Sequence, residues 1–185
     1  MRRGFKAWAE RKAASFRREL RIPWLAPLRA ATLAEYLGVL IIEPEAIPGV
    51  GIELLQRLEL EFGYCWSAVT ISMEQLTVIV CNPTHGEGRR ESDIMHELAH
   101  LICQHPPVRI TTIPGGFRLR SFSQEAEEEA AWLGSVLQIP RAALLTLSRR
   151  GYSVDALAEH FHASEQMVRF RRNMTGVGKL VSQKA

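Results

Sequence analysis

The sequence lacks any apolar run long enough to cross a membrane, since no stretch approaches the roughly 18 to 20 residues that a membrane helix needs. It also lacks the apolar core of a secretory signal, because the basic start "MRRGFKAWAERKAASFRREL" is not followed by about 7 to 15 apolar residues. The arginines there would suit a mitochondrial transit peptide, but Glu10 and Glu19 fit it poorly. We therefore expect a cytoplasmic protein.

Cysteine is also scarce. The chain has only Cys65, Cys81 and Cys103, an odd number without C-x-x-C spacing. This pattern argues against a disulfide framework and against a cysteine metal site, and it favours buried free thiols.

The length and composition are those of an ordinary globular protein, with 185 residues of which 46% are hydrophobic and 23% charged. The charge is distributed unevenly. Residues 1–30 carry nine Lys/Arg against two Asp/Glu, and residues 141–185 carry eight against three, so the ends are basic and the middle is acidic. Basic ends can bind acidic partners or nucleic acid, or they can simply be solvated helix faces.

Hydrophobic spacing predicts helices over residues 5–20, within 28–42, from Ser123 to Pro140 and from Val154 to about Asn173, with Gly38 and Ser123 as caps. The apolar "VLII" can start a strand. Two segments rich in β-branched and aromatic residues predict an antiparallel hairpin over 64–82. Residues 104–124 contain three prolines and two glycines, so we expect a loop there.

The segment "SDIMHELAHLIC" contains H-E-x-x-H at His96, Glu97 and His100. Residues i and i+4 share a helix face, so both imidazoles can bind one metal ion. Glu97 lies about 100° from His96, too far round to be a natural ligand but able to hold a water. The motif is short, and without a third ligand it could equally be a coincidence on an amphipathic helix.

Four glutamates in "EAEEEA" can supply that third ligand. The face expected to pack inward carries four apolar residues, Ala126, Ala130, Leu133 and Leu137. Glu129 lies nearest to the centre of this face, at roughly 70°. A buried carboxylate is costly unless it is paired or bound to a metal, so we expect zinc held by His96, His100 and Glu129. The competing interpretation is an acidic first turn that complements the helix dipole.

The segments "LTVIVCNPTH", "RRESDIMHELAHLI" and "EEEAAWLGSVLQIP" together resemble the ImmA/IrrE family of zinc-dependent metallo-endopeptidases. Its members share the H-E-x-x-H helix and a second helix of the form E-A-N-x-F-A-x-x-L-L-M-P, whose leading Glu completes the zinc site. That Glu falls on Glu129, and the usual Asn and aromatic are replaced by Ala131 and Leu133. The resemblance covers roughly residues 30–175.

The resemblance implies an α+β, zincin-like fold with a small antiparallel sheet packed on the H-E-x-x-H helix, followed by C-terminal helices. It also implies that Glu97 acts as the general base in peptide hydrolysis. The implied partner and substrate is a helix-turn-helix transcriptional repressor of a phage, mobile-element or stress regulon. Within the sheet, we expect the hairpin to offer an exposed strand edge with which an extended substrate can pair.

A second hypothesis comes from "SVDALAEHFHASEQMVRFRRN", whose apolar spacing matches a helix-turn-helix. Arg169, Arg171 and Arg172 could then contact phosphate, and the protein would be a DNA- or partner-binding module with a structural or inactive metal site. We divide the chain into a basic N-terminal helix (1–30), a zincin-like domain (31–145) and a C-terminal helical segment (146–185).

Overall fold

The computed structural model describes residues 1–44, 67–73, 76–113 and 117–182. Its strands are β1 (Leu40–Ile42), β2 (Ala68–Met73), β3 (Leu76–Cys81), β4 (Arg109–Ile113) and β5 (Phe117–Ser121). Its helices are α1 (Phe5–Glu19), α2 (Ala30–Tyr36), α3 (Glu87–Cys103), α4 (Gln124–Gln138), α5 (Arg141–Arg149), α6 (Val154–Phe161), α7 (Glu165–Thr175) and α8 (Val177–Ser182). The predicted helices and the predicted strand at "VLII" are therefore confirmed.

The five strands form one sheet in the order β1-β3-β2-β5-β4. The predicted hairpin is confirmed for its described residues, because β2 and β3 pair in antiparallel fashion from Ala68 opposite Cys81 to Met73 opposite Leu76. β1 runs parallel to β3 on the outer side of the hairpin. The sheet is thus mixed. The predicted antiparallel pairing is found among β3, β2, β5 and β4, and β1 adds a parallel pair, since the sequence pattern located β1 but did not give its direction.

The segment expected to be a loop between the two long helices contains β4 and β5, which form a second antiparallel hairpin. β5 then pairs with β2 at Ile71 and Ser72. The β-branched "RITTI" has ordinary strand propensity, but the Pro-Gly-Gly sequence after it made the whole segment resemble a loop. Pairing with an existing sheet stabilises these strands, and this partner is not visible from local sequence.

Helices α3 and α4 pack against each other at close range. Gly134 allows this approach, because a Cβ there would lie 3.0 Å from the Met95 carbonyl oxygen and 3.1 Å from the His96 nitrogen. Ser123 caps α4 as predicted, since its hydroxyl accepts a bond from the Ala126 amide. The core around these helices also takes in apolar residues of α1, α2, β1 and β3. The two helices are therefore fixed relative to each other.

A second apolar cluster is formed by the C-terminal helices, with members that include Ile139, Leu144, Leu157, Phe161 and Val168. These helices dock on the start of α3. A Cβ at Gly88 would come within 2.7 Å of the Ala163 backbone, so glycine is needed at this contact. Among the described residues, no single helix is long and apolar enough to cross a membrane, although α4 and α5 would pass that test as a pair bent by 49°.

Candidate metal centre and active site

Helix α3 presents both histidines of the motif to one point. The Nε2 atoms of His96 and His100 are 3.1 Å apart. The Glu127 Oε2 atom of α4 lies 3.0 Å from His96 Nε2 and 3.4 Å from His100 Nε2. One ligand atom from each of the three residues falls within 4.8 Å of the others. Two helices thus supply a compact nitrogen, nitrogen and oxygen donor set.

The carboxylate beside the two imidazoles is Glu127, where the sequence had led us to expect Glu129. Glu129 is buried, at 2% exposure, so its predicted inward placement is confirmed. The site, however, lies at the rim of the helix pair rather than under the packing face. Glu127 is 46% exposed at that rim. Ranking the glutamates by distance from the packing face therefore selected a buried carboxylate two residues beyond the one that meets the histidines.

The three donors fit a zinc ion both by type and by charge. The neighbouring imidazoles of His100 and His96 lower the pKa of Glu127 far below its usual range, so it is a carboxylate at neutral pH. Burial lowers the pKa of His100 and keeps its imidazole neutral. Burial also opposes the charge on His96, but the bond to Glu127 and the nearby Glu97 outweigh this and raise its pKa. Neutral imidazole and carboxylate are the forms that bind zinc.

Glu97 lies next to this donor set and is held by the sheet. Its Oε2 atom accepts a 2.6 Å hydrogen bond from the Thr70 hydroxyl of β2. Burial raises the pKa of Glu97, although His96 and Thr70 partly oppose this shift. A carboxylate with a raised pKa can both take and return a proton near neutral pH. Thr70 was missed by the sequence reasoning, because a threonine in a strand carries no motif.

His105 lies beside this site as well, although it belongs to the segment 104–124 that was expected to be a loop. The chain leaves α3 through Gln104, whose φ of 52° is left-handed, and this turn brings His105 back under the helix. His105 is buried, with its Nδ1 atom 3.0 Å from His100 Nδ1 and its Nε2 atom 3.3 Å from Glu129 Oε2. Its spacing of five residues from His100 is the only signal the sequence offers.

The buried Glu129 carboxylate is neutralised from the N-terminal segment. It accepts bonds from the Arg2 backbone nitrogen at 2.7 Å, from Nε at 2.9 Å and from a terminal guanidinium nitrogen at 2.7 Å. Burial alone would raise the pKa of Glu129, but the bonds from Arg2 and His105 outweigh it and lower the pKa. Glu129 is therefore an ionised acceptor behind the histidines.

Residues 66–173 match the family model of the M78 peptidases, described as the IrrE N-terminal-like domain. This match covers more than half of the chain and includes both histidines, Glu97, Glu127 and the C-terminal helices through most of α7. The chain belongs to the M78 peptidase family. No curated protein matches it.

The M78 site opens into a pocket of about 300 Å³ between β2 and β5, lined on the sheet side by Ala68, Val69, Thr70, Arg120 and Ser121. β2 and β3 are both internal strands of the sheet, so the predicted hairpin does not offer a simple exposed edge. β5 meets β2 only at Ile71 and Ser72 among the described residues. The pocket is the gap left where the start of β2 and the end of β5 separate.

A larger cleft of about 610 Å³ lies on the other side of His96 and Glu97. One wall comes from α3 and α4. The opposite wall comes from α7 and the residue before it, through Ser164, Gln166, Met167 and Phe170. The C-terminal helices of this M78 family member therefore line a cleft beside the candidate metal centre.

The three arginines that were predicted to contact phosphate, Arg169, Arg171 and Arg172, are not all available on the surface of these helices. Arg171 is fully buried, where it donates to the Ile139 carbonyl at 2.9 Å and to Glu10 at 2.7 Å. It cannot reach a phosphate, so this part of the prediction was wrong. The reason is that the hydrophobic spacing of α7 did not reveal the N-terminal helix packed against it.

The cysteines behave as expected where the structure describes them. Cys81 and Cys103 are free, and burial raises the pKa of each thiol to about 11. Cys81 is buried and Cys103 is half-buried. Cys65 lies outside the described residues. The two described thiols are thus protonated side chains with no part in the donor set.

Proposed function

We propose that the protein is a zinc-dependent endopeptidase. The observation that carries this proposal is the convergence of His96, His100 and Glu127 within 4.8 Å, with Glu97 beside them in a cleft of about 610 Å³. Three protein ligands with a further open position are the arrangement of catalytic rather than structural zinc sites. Membership of a peptidase family points to the same chemistry.

In this proposal His96 and His100 bind zinc through their Nε2 atoms and Glu127 binds through its carboxylate. Bound there, zinc supplies Lewis acidity, which lowers the pKa of a water and polarises a scissile carbonyl. Glu97 takes a proton from the attacking water on its carboxylate and delivers it to the nitrogen of the leaving amine. The Thr70 hydroxyl holds Glu97 in place, through its 2.6 Å bond to Oε2.

An extended segment of substrate suits this site, because the pocket of about 300 Å³ between β2 and β5 reaches the donor set. Backbone groups at the start of β2 are well placed to pair with such a segment, as in other cases of strand addition. Side chains of the substrate would then enter the larger cleft beside α7. We infer from the family resemblance that the substrate is a helix-turn-helix repressor and that the reaction takes place in the cytoplasm.

The test is co-expression with a helix-turn-helix repressor encoded next to this gene, followed by detection of repressor fragments. Zinc content is measured on the same preparations. We expect cleavage by the wild type and a decrease of about 10²- to 10⁴-fold for Glu97→Gln, with unchanged zinc content, because this substitution removes the base and no ligand.

Glu128→Gln is the matched control, since the Glu128 side chain is 52% exposed on α4 between Glu127 and Glu129. It should cleave as the wild type does. Undiminished cleavage by Glu97→Gln would refute the role of Glu97 as base. Zinc-loaded wild type that leaves every neighbouring repressor intact would refute the proposed substrate.

A further inference from the structure

The feature that the proposed reaction does not use is the row of side chains behind His100. His105 lies between His100 and Glu129, with its two ring nitrogens aimed at one neighbour each, at 3.0 Å and 3.3 Å. Both flanking residues are buried: His100 is 3% exposed and Glu129 is 2% exposed. Three polar side chains buried in a row need a consistent set of donors and acceptors.

At one end of the row, the Glu129 carboxylate can act only as a hydrogen-bond acceptor. The carboxylate accepts several bonds from Arg2 and is therefore an ionised group, which can only accept. The facing Nε2 atom of His105 must then carry a proton. A neutral His105 has a single ring proton, so its Nδ1 atom then carries no proton and can only accept a hydrogen bond. Its neighbour across 3.0 Å, His100 Nδ1, must donate.

The consequence for His100 is a single tautomer. With its proton on Nδ1, the neutral ring has its lone pair on Nε2, the atom that faces His96 and Glu127. This is the atom needed as a metal ligand. The opposite tautomer would place an N–H at the metal position and leave two unprotonated nitrogens facing each other at 3.0 Å.

We propose that His105 and Glu129 are positioning residues for the metal centre: together they fix the tautomer of His100 so that its Nε2 lone pair faces the metal. The proposal rests on the zinc site of the proposed function and assigns a role to two residues outside that site. Outer partners of this type fix the ring and raise ligand basicity in many metal sites.

The orientation of the His100 ring has a separate support. Phe122 stacks on it, with ring centres 3.9 Å apart and an angle of 15° between the planes. If His105 is replaced, Phe122 still holds the plane of the His100 ring. The main loss is the hydrogen bond that fixes which nitrogen of His100 carries the proton. A purely structural role for Glu129, as an anchor for Arg2, predicts a change in stability without any change in the His100 tautomer.

The test uses His105→Phe, which keeps a ring but removes the acceptor, and His105→Gln, which can restore an acceptor at that place. Zinc affinity is measured by competition with a chelator. The His100 tautomer is read from ¹⁵N-labelled metal-free and zinc-loaded protein by long-range ¹⁵N–¹H NMR. Circular dichroism and thermal midpoints verify that each variant is folded.

We expect His105→Phe to weaken zinc binding by about 10- to 100-fold and to populate the second His100 tautomer in metal-free protein. His105→Gln should recover part of the loss. Glu129→Gln should show a smaller decrease of about tenfold or less, because it acts one step farther from the ring. The matched controls, Glu128→Gln on the exposed face and His160→Gln outside the site, should leave both readouts unchanged.

Zinc affinity within twofold of wild type in folded His105→Phe, together with an unchanged His100 tautomer, would overturn the proposal. A wild type that binds no zinc would refute the proposed function instead. In that case the His100 tautomer in metal-free protein still tests the role of His105 and Glu129. A proton that stays on His100 Nδ1 in both His105→Phe and Glu129→Gln would refute their control of the tautomer.

Discussion

The two sides of the His100 ring are built differently. On the Nε2 side, His96 and Glu127 are 30% and 46% exposed and line open pockets. On the Nδ1 side, the side chains of His105 and Glu129 are only 6% and 3% exposed, and each polar atom facing the ring has a partner. One histidine therefore separates an accessible donor set from a buried hydrogen-bonded row.

This difference shows why two glutamates two residues apart have different chemistry. Glu127 lies at the rim of the helix pair, where it lines the pocket between β2 and β5 and where an ion could reach it. Glu129 is in the interior, where a carboxylate requires a cation, and Arg2 supplies it at 2.7 Å. The buried carboxylate of Glu129 therefore needs an ionic partner, whereas the partly exposed carboxylate of Glu127 remains accessible to a ligand.

Removal of each glutamate in turn should have the largest effect on the metal centre. Glu127→Ala should weaken zinc binding by more than the roughly 10- to 100-fold that loss of an outer partner costs, whereas Glu129→Ala should stay within that range. Chelator competition measures both, with Glu128→Ala as the control. The reverse order would restore Glu129 as the third ligand.

Gly134→Ala tests the close packing of α3 against α4, the two helices that carry the donor set. Its Cβ would meet the backbone of Met95 and His96 at 3.0 to 3.1 Å, so α4 must move away from α3. We expect a loss of about 1 to 3 kcal/mol in the free energy of unfolding and weaker zinc binding. Gly178→Ala, with 4.0 Å to its nearest neighbour, should be neutral or slightly stabilising. Denaturant unfolding checks both, and equal losses would contradict the close contact.

Acidification should also distinguish the two histidines. The pKa of His96 is raised and that of His100 is lowered, so on going down in pH His96 is the first to take up a proton that zinc must displace. The apparent zinc affinity should fall by about tenfold per pH unit below the His96 pKa, as one proton is displaced. A slope of two protons throughout this range would show that the two rings titrate together.

The smallest effect is expected at Thr70, which supports the base and touches no ligand. Thr70→Val removes the hydrogen bond that lowers the pKa of Glu97, so this pKa should rise further. A bond of about 0.5 to 1.5 kcal/mol corresponds to about one pH unit or less. The acid limb of the activity profile should move to higher pH while zinc affinity stays constant. An unmoved acid limb would argue against Glu97 as the titrating group.

Much of the site was predictable from the sequence, because it depends on local periodicity. His96 and His100 share a face by their spacing of four, and Glu97 follows from the same helix. The inward placement of Glu129 also followed from periodicity. The identity of the carboxylate at the histidines did not, because it depends on where α4 crosses α3, and that crossing is set by the contact at Gly134.

Local sequence accounts for the longer helices, the first hairpin and the chemical types of the metal donors, since each of these depends on residues that are near in the chain; it did not predict α5 or α8. Three facts follow from the packing of distant segments instead: Glu127 reaches the histidines, His105 turns back beneath His100, and Arg171 is buried against Glu10. These three facts depend on contacts between segments distant in sequence. Their geometry is set by packing, which no local pattern records.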